Sequence, residues 1–340
     1  MPITPRTPAI AIIGGAGFIG LACAEAARAM GCRVALLDLA PPPAGWLTHP
    51  ALAGASFHPC DLRDPASLQT ALAEAQPDLV LHLAALTPDA AQIRQSADRI
   101  VALNVAGIAT AMTAAADFGI PRFAMTSSVA LYGTKGPWPE QSTLTEDGPL
   151  CPDSLYGLTR GAAEDLARLL APEFGLSLQI LRLGPVFGPW ERAGATRPNL
   201  SPHAQIEALA QDGLPATLPH EMRADWLYSR DAGEIIAGLL CLWPETGTDG
   251  TVFNIGAGQL SSPADWAALT GLPPVRIDAH APSVTARMAQ GRPPLDTVRS
   301  LRALQRPAAS RSLAAAAEDY LRWRADFPDT DTPETVYARF

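Results

Sequence analysis

Hydrophobic positions along the chain fall into two alternating patterns. Short, nearly continuous apolar runs occur at Ala9–Ile13, Arg33–Leu37, Leu79–Leu83, Arg122–Thr126 and Leu178–Leu183. Runs of this kind predict strands buried on both faces. Between them, Phe18–Met30, Pro65–Ala75, Ala97–Phe118 and Tyr156–Phe174 carry apolar residues spaced three or four apart, which predicts helices. Strands alternating with helices predict an α/β fold with a doubly wound parallel sheet, covered by helices on both faces.

After Gly184 the pattern becomes irregular. Pro185–Arg223 contains six prolines and one predicted helix, His203–Gln211. A helix at Asp231–Trp243 and a strand at Thr251–Ile255 are expected to return to the sheet. Ser262–Phe327 predicts a small accessory lobe whose clearest helix is Leu313–Trp323. The expected division is therefore a sheet domain at 1–185 with 226–258, a substrate-binding lobe at 186–225 and 259–327, and a tail at 328–340. Gly136–Asp153 is a long connection without periodicity, a kind of loop that usually carries function or moves.

Composition narrows the function classes. With 340 residues, 48% hydrophobic and 17% charged, the chain is a folded protein rather than a disordered one. A net charge of -9 argues against a nucleic-acid partner. Cys23, Cys32, Cys60, Cys151 and Cys241 include no C-x-x-C pair, so neither a disulfide framework nor a zinc cage is expected. The six histidines show no metal-ligand spacing, and no metal is expected. Met1–Pro8 does not read as a signal peptide. The most apolar stretches, Ile10–Gly20 and Val101–Ala116, are interrupted by Gly, Asn or Thr and fall short of the ~20 apolar residues that span a bilayer. The expectation is a cytoplasmic protein in a reduced compartment, without a membrane partner. Lys135 is the single lysine among 25 basic residues, a bias that bears on the site chemistry below.

Gly14-Gly15-Ala16-Gly17-Phe18-Ile19-Gly20 follows the first predicted strand and opens the first predicted helix. It contains G-x-G-x-x-G from Gly15. Glycines at this spacing allow a tight turn and close backbone approach to a pyrophosphate, which then meets the helix N-terminus. Asp38 follows Gly20 by 18 residues and ends the second strand, where a carboxylate can bond ribose hydroxyls and repel a 2′-phosphate. The pair predicts a Rossmann-type domain that binds NAD rather than NADP.

From here the chain resembles the extended short-chain dehydrogenases/reductases, specifically the NAD-dependent epimerase/dehydratase family. Cys60-Asp61-Leu62, His82-Leu83-Ala84-Ala85, Asn104-Val105-Ala106-Gly107 and Thr126-Ser127-Ser128-Val129-Ala130-Leu131-Tyr132-Gly133 carry the resemblance. So do Tyr156-Gly157-Leu158-Thr159-Arg160, Arg182-Leu183-Gly184-Pro185-Val186-Phe187-Gly188-Pro189, Arg223-Ala224-Asp225-Trp226 and Phe253-Asn254-Ile255-Gly256. The resemblance implies that Asp61 and Leu62 line the adenine and Leu83, Ala84 and Ala85 the nicotinamide side of the groove. It implies that Asn104 supports the site, that Pro185 and Val186 touch the nicotinamide, that Ser128 bonds the substrate oxygen, and that Tyr156 is the general acid/base. It also implies a homodimer through the predicted helix at Val101–Phe118.

One position departs from the family. The motif is Tyr-x-x-x-Lys, with the lysine also bonding the nicotinamide ribose; here it is Arg160. Four residues along a helix place Tyr156 and Arg160 on one face. Arg160 keeps the charge but is planar and bulkier. Three readings stand: Arg160 takes over the lysine's work, Lys135 contributes the charge, or the protein binds NAD without turnover. The family's dehydratases place an Asp-Glu pair after the position of Ser128. Val129-Ala130 stand there instead, which argues against elimination chemistry.

Thr87, Ser127, Ser128, Tyr156, Arg192 and Arg223 are candidate substrate contacts. The Arg matching Arg223 binds a diphosphate in nucleotide-sugar epimerases; the alternative is that Arg223 pairs with Asp225 or another acid. Because few basic residues accompany Arg223, the expected substrate is a sugar, polyol or sugar acid whose carboxylate or hydroxyl meets Arg192 or Arg223. Hydride transfer at a hydroxyl-bearing carbon is the leading activity. A sugar or nucleotide-sugar epimerase with tightly bound NAD and a non-catalytic NAD-binding regulatory protein are the alternatives. Trp138, Trp190 and Trp226 are expected in core or lid packing and His82 in a buried strand.

Overall fold

Seven parallel strands form the central sheet of the computed structural model, which describes residues 7–136, 138, 142–192, 200–243, 250–286, 291–307 and 310–326. The strands are β1 (Ala9–Ile13), β2 (Arg33–Asp38), β3 (Ser56–Pro59), β4 (Leu79–His82), β5 (Arg122–Ser128), β6 (Ser177–Leu183) and, after three short ones, β10 (Thr251–Ile255). Their order is β10-β6-β5-β4-β1-β2-β3. The order reverses between β1 and β4, and in such sheets the crevice beyond the carboxyl ends of the strands at that point receives ligands.

Each strand is apolar along its length because both faces are covered. On β1, Ile10 and Ile12 face α1 (Phe18–Ala29) and α7 (Ser229–Cys241), whereas Ala11 and Ile13 face α2 (Pro65–Ala75), α4 (Gly107–Asp117) and α5 (Leu155–Glu173). Each fully buried Leu or Ile in these layers contributes roughly 1.5–3 kcal/mol. Side chains cap several helices: Asp64 accepts from the Ala66 N–H at the start of α2, and Ser154 accepts from the Gly157 N–H at the start of α5. Helix α1 has Gly17 at its N-cap and therefore no side-chain cap.

The predicted helix Ala97–Phe118 begins earlier, as α3 (Ala90–Val101), where Asp89 and Gln92 form a capping box. It turns through a π-helical segment at Ala102–Ala106 and continues as α4. The combined run Ala90–Asp117 is 28 residues with a mean hydropathy of 1.5 in its most apolar window, long and apolar enough to cross a membrane by those measures. Asn104 and Gly107 interrupt the apolar run without ending the helix. In the fold 44% of that window is buried, with Ile108, Ala111, Met112 and Ala115 packed against the sheet.

Two-residue strands link the remainder. β7 (Val186–Phe187) pairs with β9 (Leu227–Tyr228), and β8 (Thr217–Leu218) with β11 (Arg276–Ile277). Helices α6 (Pro202–Gln211) and α8 (Pro263–Leu269) pack around Ile206, Leu218, Met222 and Ala267. Helix α9 (Val298–Leu304) packs through Leu304 on the core that holds α7, whereas helix α10 (Leu313–Asp326) bridges the two parts: Ala316 and Ala317 pack with Trp266 of α8, and Trp323 packs on the core that holds α7. The expected tail falls outside the described residues, as do Phe327 and the segment 193–199 that follows Arg192.

Candidate active site

The turn between β1 and α1 is drawn tightly into the sheet. Gly14 has φ 81°, and a Cβ there would lie 2.8 Å from the Ala84 backbone nitrogen. The Gly14 and Gly15 N–H groups donate to the Leu37 carbonyl at 2.8 and 3.3 Å. Ala16 N–H donates to Asp38 Oδ2 at 3.0 Å, and Leu39 N–H to Asp38 Oδ1 at 2.8 Å. Burial raises the Asp38 carboxyl above its ordinary range, opposed by those two N–H groups and by Arg192. A backbone surface without side chains, an uncapped helix N-terminus with its positive dipole end, and a carboxylate at the end of β2 fit a dinucleotide.

The other expected cofactor residues border this turn. Leu83 and Ala84 donate to the Ile13 carbonyl at 2.9 and 3.1 Å, which runs Leu83–Ala85 along the glycine turn. Asp61 is held by a forked bond from Arg63, which keeps its carboxyl below the usual range. Leu62 is buried against Gly107. Leu227 N–H donates to the Pro185 carbonyl at 2.9 Å, and Val186 is paired to Leu227. Asn104 accepts from Leu86 N–H at 2.8 Å and donates to the Leu86 carbonyl at 3.0 Å and Thr159 Oγ1 at 3.2 Å. It thereby ties the loop after β4 to α5.

Ser128 ends β5, and its hydroxyl accepts the Ala130 N–H at 3.1 Å, starting a single turn of 3-10 helix over Val129–Tyr132. Helix α5 lies directly on that turn: a Cβ on Gly157 would come within 2.7 Å of the Ala130 carbonyl oxygen. This contact brings half-buried Tyr156 to the end of β5. One turn on, Arg160 is 1% exposed, and its three guanidinium nitrogens make no hydrogen bond to any described residue. Burial lowers the Arg160 pKa, opposed by Tyr156 and Glu164, so the cation lies within electrostatic reach of the Tyr156 phenol. His82, also fully enclosed, has its pKa pushed down to about 3 by burial and by Arg160. It is neutral at physiological pH and adds no second charge.

Several candidate contacts lie elsewhere. Ser127 points from the opposite face of β5, beside Glu164 of α5, because successive strand residues alternate in direction. Glu164 belongs to a buried network in which Arg182 donates to it from Nε and Nη2 at 2.9 and 2.8 Å, and to the Glu146 carbonyl at 2.8 Å. Thr87 is exposed. Arg223 is exposed as well, donating to the Leu260 carbonyl at 3.2 Å and lying 3.8 Å from Asp265. Asp225 is not its partner; that carboxylate accepts the N–H groups of Ala257, Gly258 and Leu295. Arg192 reaches the Ala16 carbonyl at 3.4 Å with its guanidinium 5.7 Å from the Trp46 ring centre, which places it by the glycine turn. Lys135 is exposed near Asp153. Trp190 and Trp226 are buried in aromatic packing.

Arg292 escaped the sequence reading. It donates to the Gly133 carbonyl at 3.4 Å, and burial pushes its pKa down to about 10 against the pull of Asp225 and Asp153. Gly291-Arg292-Pro293-Pro294 has no periodicity or local motif that could have singled it out. Its position beside the end of the Ser128 turn arises from packing alone.

Comparison with known proteins places the chain in a family. The family model for the NAD dependent epimerase/dehydratase family matches residues 10–256. The chain is 29% identical over 260 residues to dTDP-glucose 4,6-dehydratase of Xanthomonas campestris pv. campestris (strain B100), a match over 73% of this chain and 71% of that one. It is 27% identical over 306 residues to dTDP-L-rhamnose 4-epimerase of Burkholderia thailandensis, over 76% and 79%. A solved structure of UDP-glucose 4-epimerase from Thermus thermophilus in complex with NAD superimposes with a TM-score of 0.72 at 25% identity, over 92% of this chain and 98% of that one.

Proposed function

The chain belongs to the NAD-dependent epimerase/dehydratase family, and on that premise we propose that it oxidises or reduces a hydroxyl-bearing carbon of a carbohydrate. The observation that carries this reading is the placement of Tyr156 and Arg160 one turn apart on α5, with Tyr156 brought to the end of β5 by the Gly157–Ala130 contact. NAD, when bound, supplies the hydride acceptor. Gly14, Gly17, Phe18, Ile19, Gly20 and Asp38 would hold its adenosine and pyrophosphate. At the other end Leu83, Ala84, Ala85, Pro185 and Val186 would enclose the nicotinamide.

Within this site Tyr156 exchanges the proton of the substrate hydroxyl, and Ser128 holds the same oxygen. Arg160 favours the phenolate form of Tyr156 by its charge and carries unspent donors for a ribose. Neither Val129 nor Ala130 can remove a proton or water, which sets elimination aside. Tyr156→Phe is expected to lower turnover at least ~100-fold while NAD affinity changes by less than about twofold. Turnover that survives the substitution overturns the reading.

A second reading, epimerisation of a nucleotide sugar, is favoured by the half-buried Arg292 guanidinium at Gly133, which suits an anionic substituent. The epimerase names of the relatives support it. An epimerase restores its cofactor in each cycle, so near-stoichiometric NAD released from denatured, purified protein supports that reading. Absence of retained nucleotide with reversible NAD binding supports a dehydrogenase. The helical run from Val101 to Phe118 is our proposed homodimer contact.

A further inference from the structure

Cys32 and Cys241 are far apart in the chain and adjacent in space, with their Sγ atoms 3.3 Å apart. Cys32 lies in the short turn between α1 and β2, is fully buried, and is fixed on both sides: its N–H donates to the Ala27 carbonyl at 3.0 Å, and its carbonyl accepts from Arg28 at 2.8 Å. Cys241 ends α7 and is partly open to solvent. A disulfide requires about 2.05 Å between sulfurs, so the two need to approach by only about 1.2 Å.

We propose that Cys32 and Cys241 form an oxidation site that takes a peroxide and closes to a reversible disulfide. The two thiols are unequal in the way the chemistry requires. The Cys32 thiol and Arg122 lower the Cys241 pKa against its burial, whereas the bond to Cys241 and burial raise that of Cys32. The more exposed sulfur is therefore the nucleophile and the enclosed one resolves. Cys241 thiolate attacks one oxygen of hydrogen peroxide; the O–O bond breaks and the departing hydroxide takes a proton to become water. The resulting Cys241 sulfenic acid is attacked by Cys32, which gives up its proton as the S–O bond breaks and a second water leaves. Two thiols lose two electrons and one peroxide becomes two waters. The new bond ties the α1–β2 turn to the end of α7.

The test treats the full-length protein with equimolar hydrogen peroxide, alkylates without reduction, and examines a tryptic digest by mass spectrometry. The expected product links the peptide holding Cys32 to that holding Cys241, is cleaved by dithiothreitol, and accompanies a Tm raised by roughly 5 °C. Cys32→Ala and Cys241→Ser each abolish the link and the shift; Cys151→Ser, at an exposed thiol, leaves both. Full alkylation of both thiols after peroxide, sulfinic acid on Cys241 without a link, a linked species of unchanged Tm, or a shift that depends on Cys151 overturns the proposal.

Discussion

Arg160 stands one helical turn beyond Tyr156, enclosed among the sheet, His82 and α5, with a guanidinium that no described residue hydrogen-bonds. An unpaired buried charge opposes folding by several kcal/mol. Such a residue persists where function requires it, against local stability. Arg160→Met is therefore expected to leave unfolding free energy unchanged or to raise it by about 1–2 kcal/mol. The same variant should bind NAD at least tenfold more weakly, a loss of about 1.4 kcal/mol. Denaturant titration and calorimetric NAD binding on one preparation check both halves. Lower stability with intact NAD binding would make Arg160 structural.

Arg192 separates the two ends of the crevice. Its contacts with the Ala16 carbonyl and the Trp46 ring set it by the glycine turn and Asp38. Arg192→Ala should weaken NAD binding by about fivefold, in keeping with one partly exposed cation. Substrate KM at saturating NAD should stay unchanged. Tryptophan fluorescence gives the first quantity and steady-state kinetics the second; a rise confined to substrate KM would return Arg192 to the substrate site.

The Glu164–Arg182 pair fastens α5 to β6 behind the reacting centre. Glu164→Gln leaves Arg182 buried without its anion, and a loss of about 3–5 kcal/mol is expected from urea unfolding at pH 7. Despite burial, Arg182, Ser127 and Arg168 hold the Glu164 carboxyl below its ordinary value. Its stabilising effect is thus complete above the unfolded carboxyl range near ~4.3 and fades as pH falls through the depressed folded value. The difference between wild type and variant should shrink only below that range.

Acid sensitivity has a separate origin. His82 and His203 are both buried with pKa values pushed down to about 3, so below the ordinary histidine value the unfolded chain binds protons that the folded chain does not. Each removes about 1.4 kcal/mol per pH unit as pH falls from 6 to 4. Asp225, raised to about 6 by burial, acts in the opposite sense, because the folded state binds its proton first. One proton's slope remains among these three. His203 stacks on Phe187 at 3.9 Å, so His203→Phe retains an aromatic ring while removing one titration. Urea midpoints at pH 6, 5 and 4 should then show a slope smaller by about 1.4 kcal/mol per unit; an unchanged slope would assign the acid sensitivity elsewhere.

Local pattern by itself determined most of the central sheet and the axis of the site. β1, α2 and β10 lie at the residues where periodicity puts them, because a strand buried on both faces and an amphipathic helix declare themselves in a few consecutive positions. The glycine turn with Asp38, and the shared helix of Tyr156 and Arg160, were legible because each depends on neighbours within one supersecondary unit. Only the tertiary structure decided that Ser127 lies beside Glu164, that Arg192 crosses to the glycine turn, that Arg292 reaches Gly133, and that Cys32 meets Cys241. Contacts across such separations depend on how finished elements pack against one another. No window of sequence short enough to show a period contains both partners.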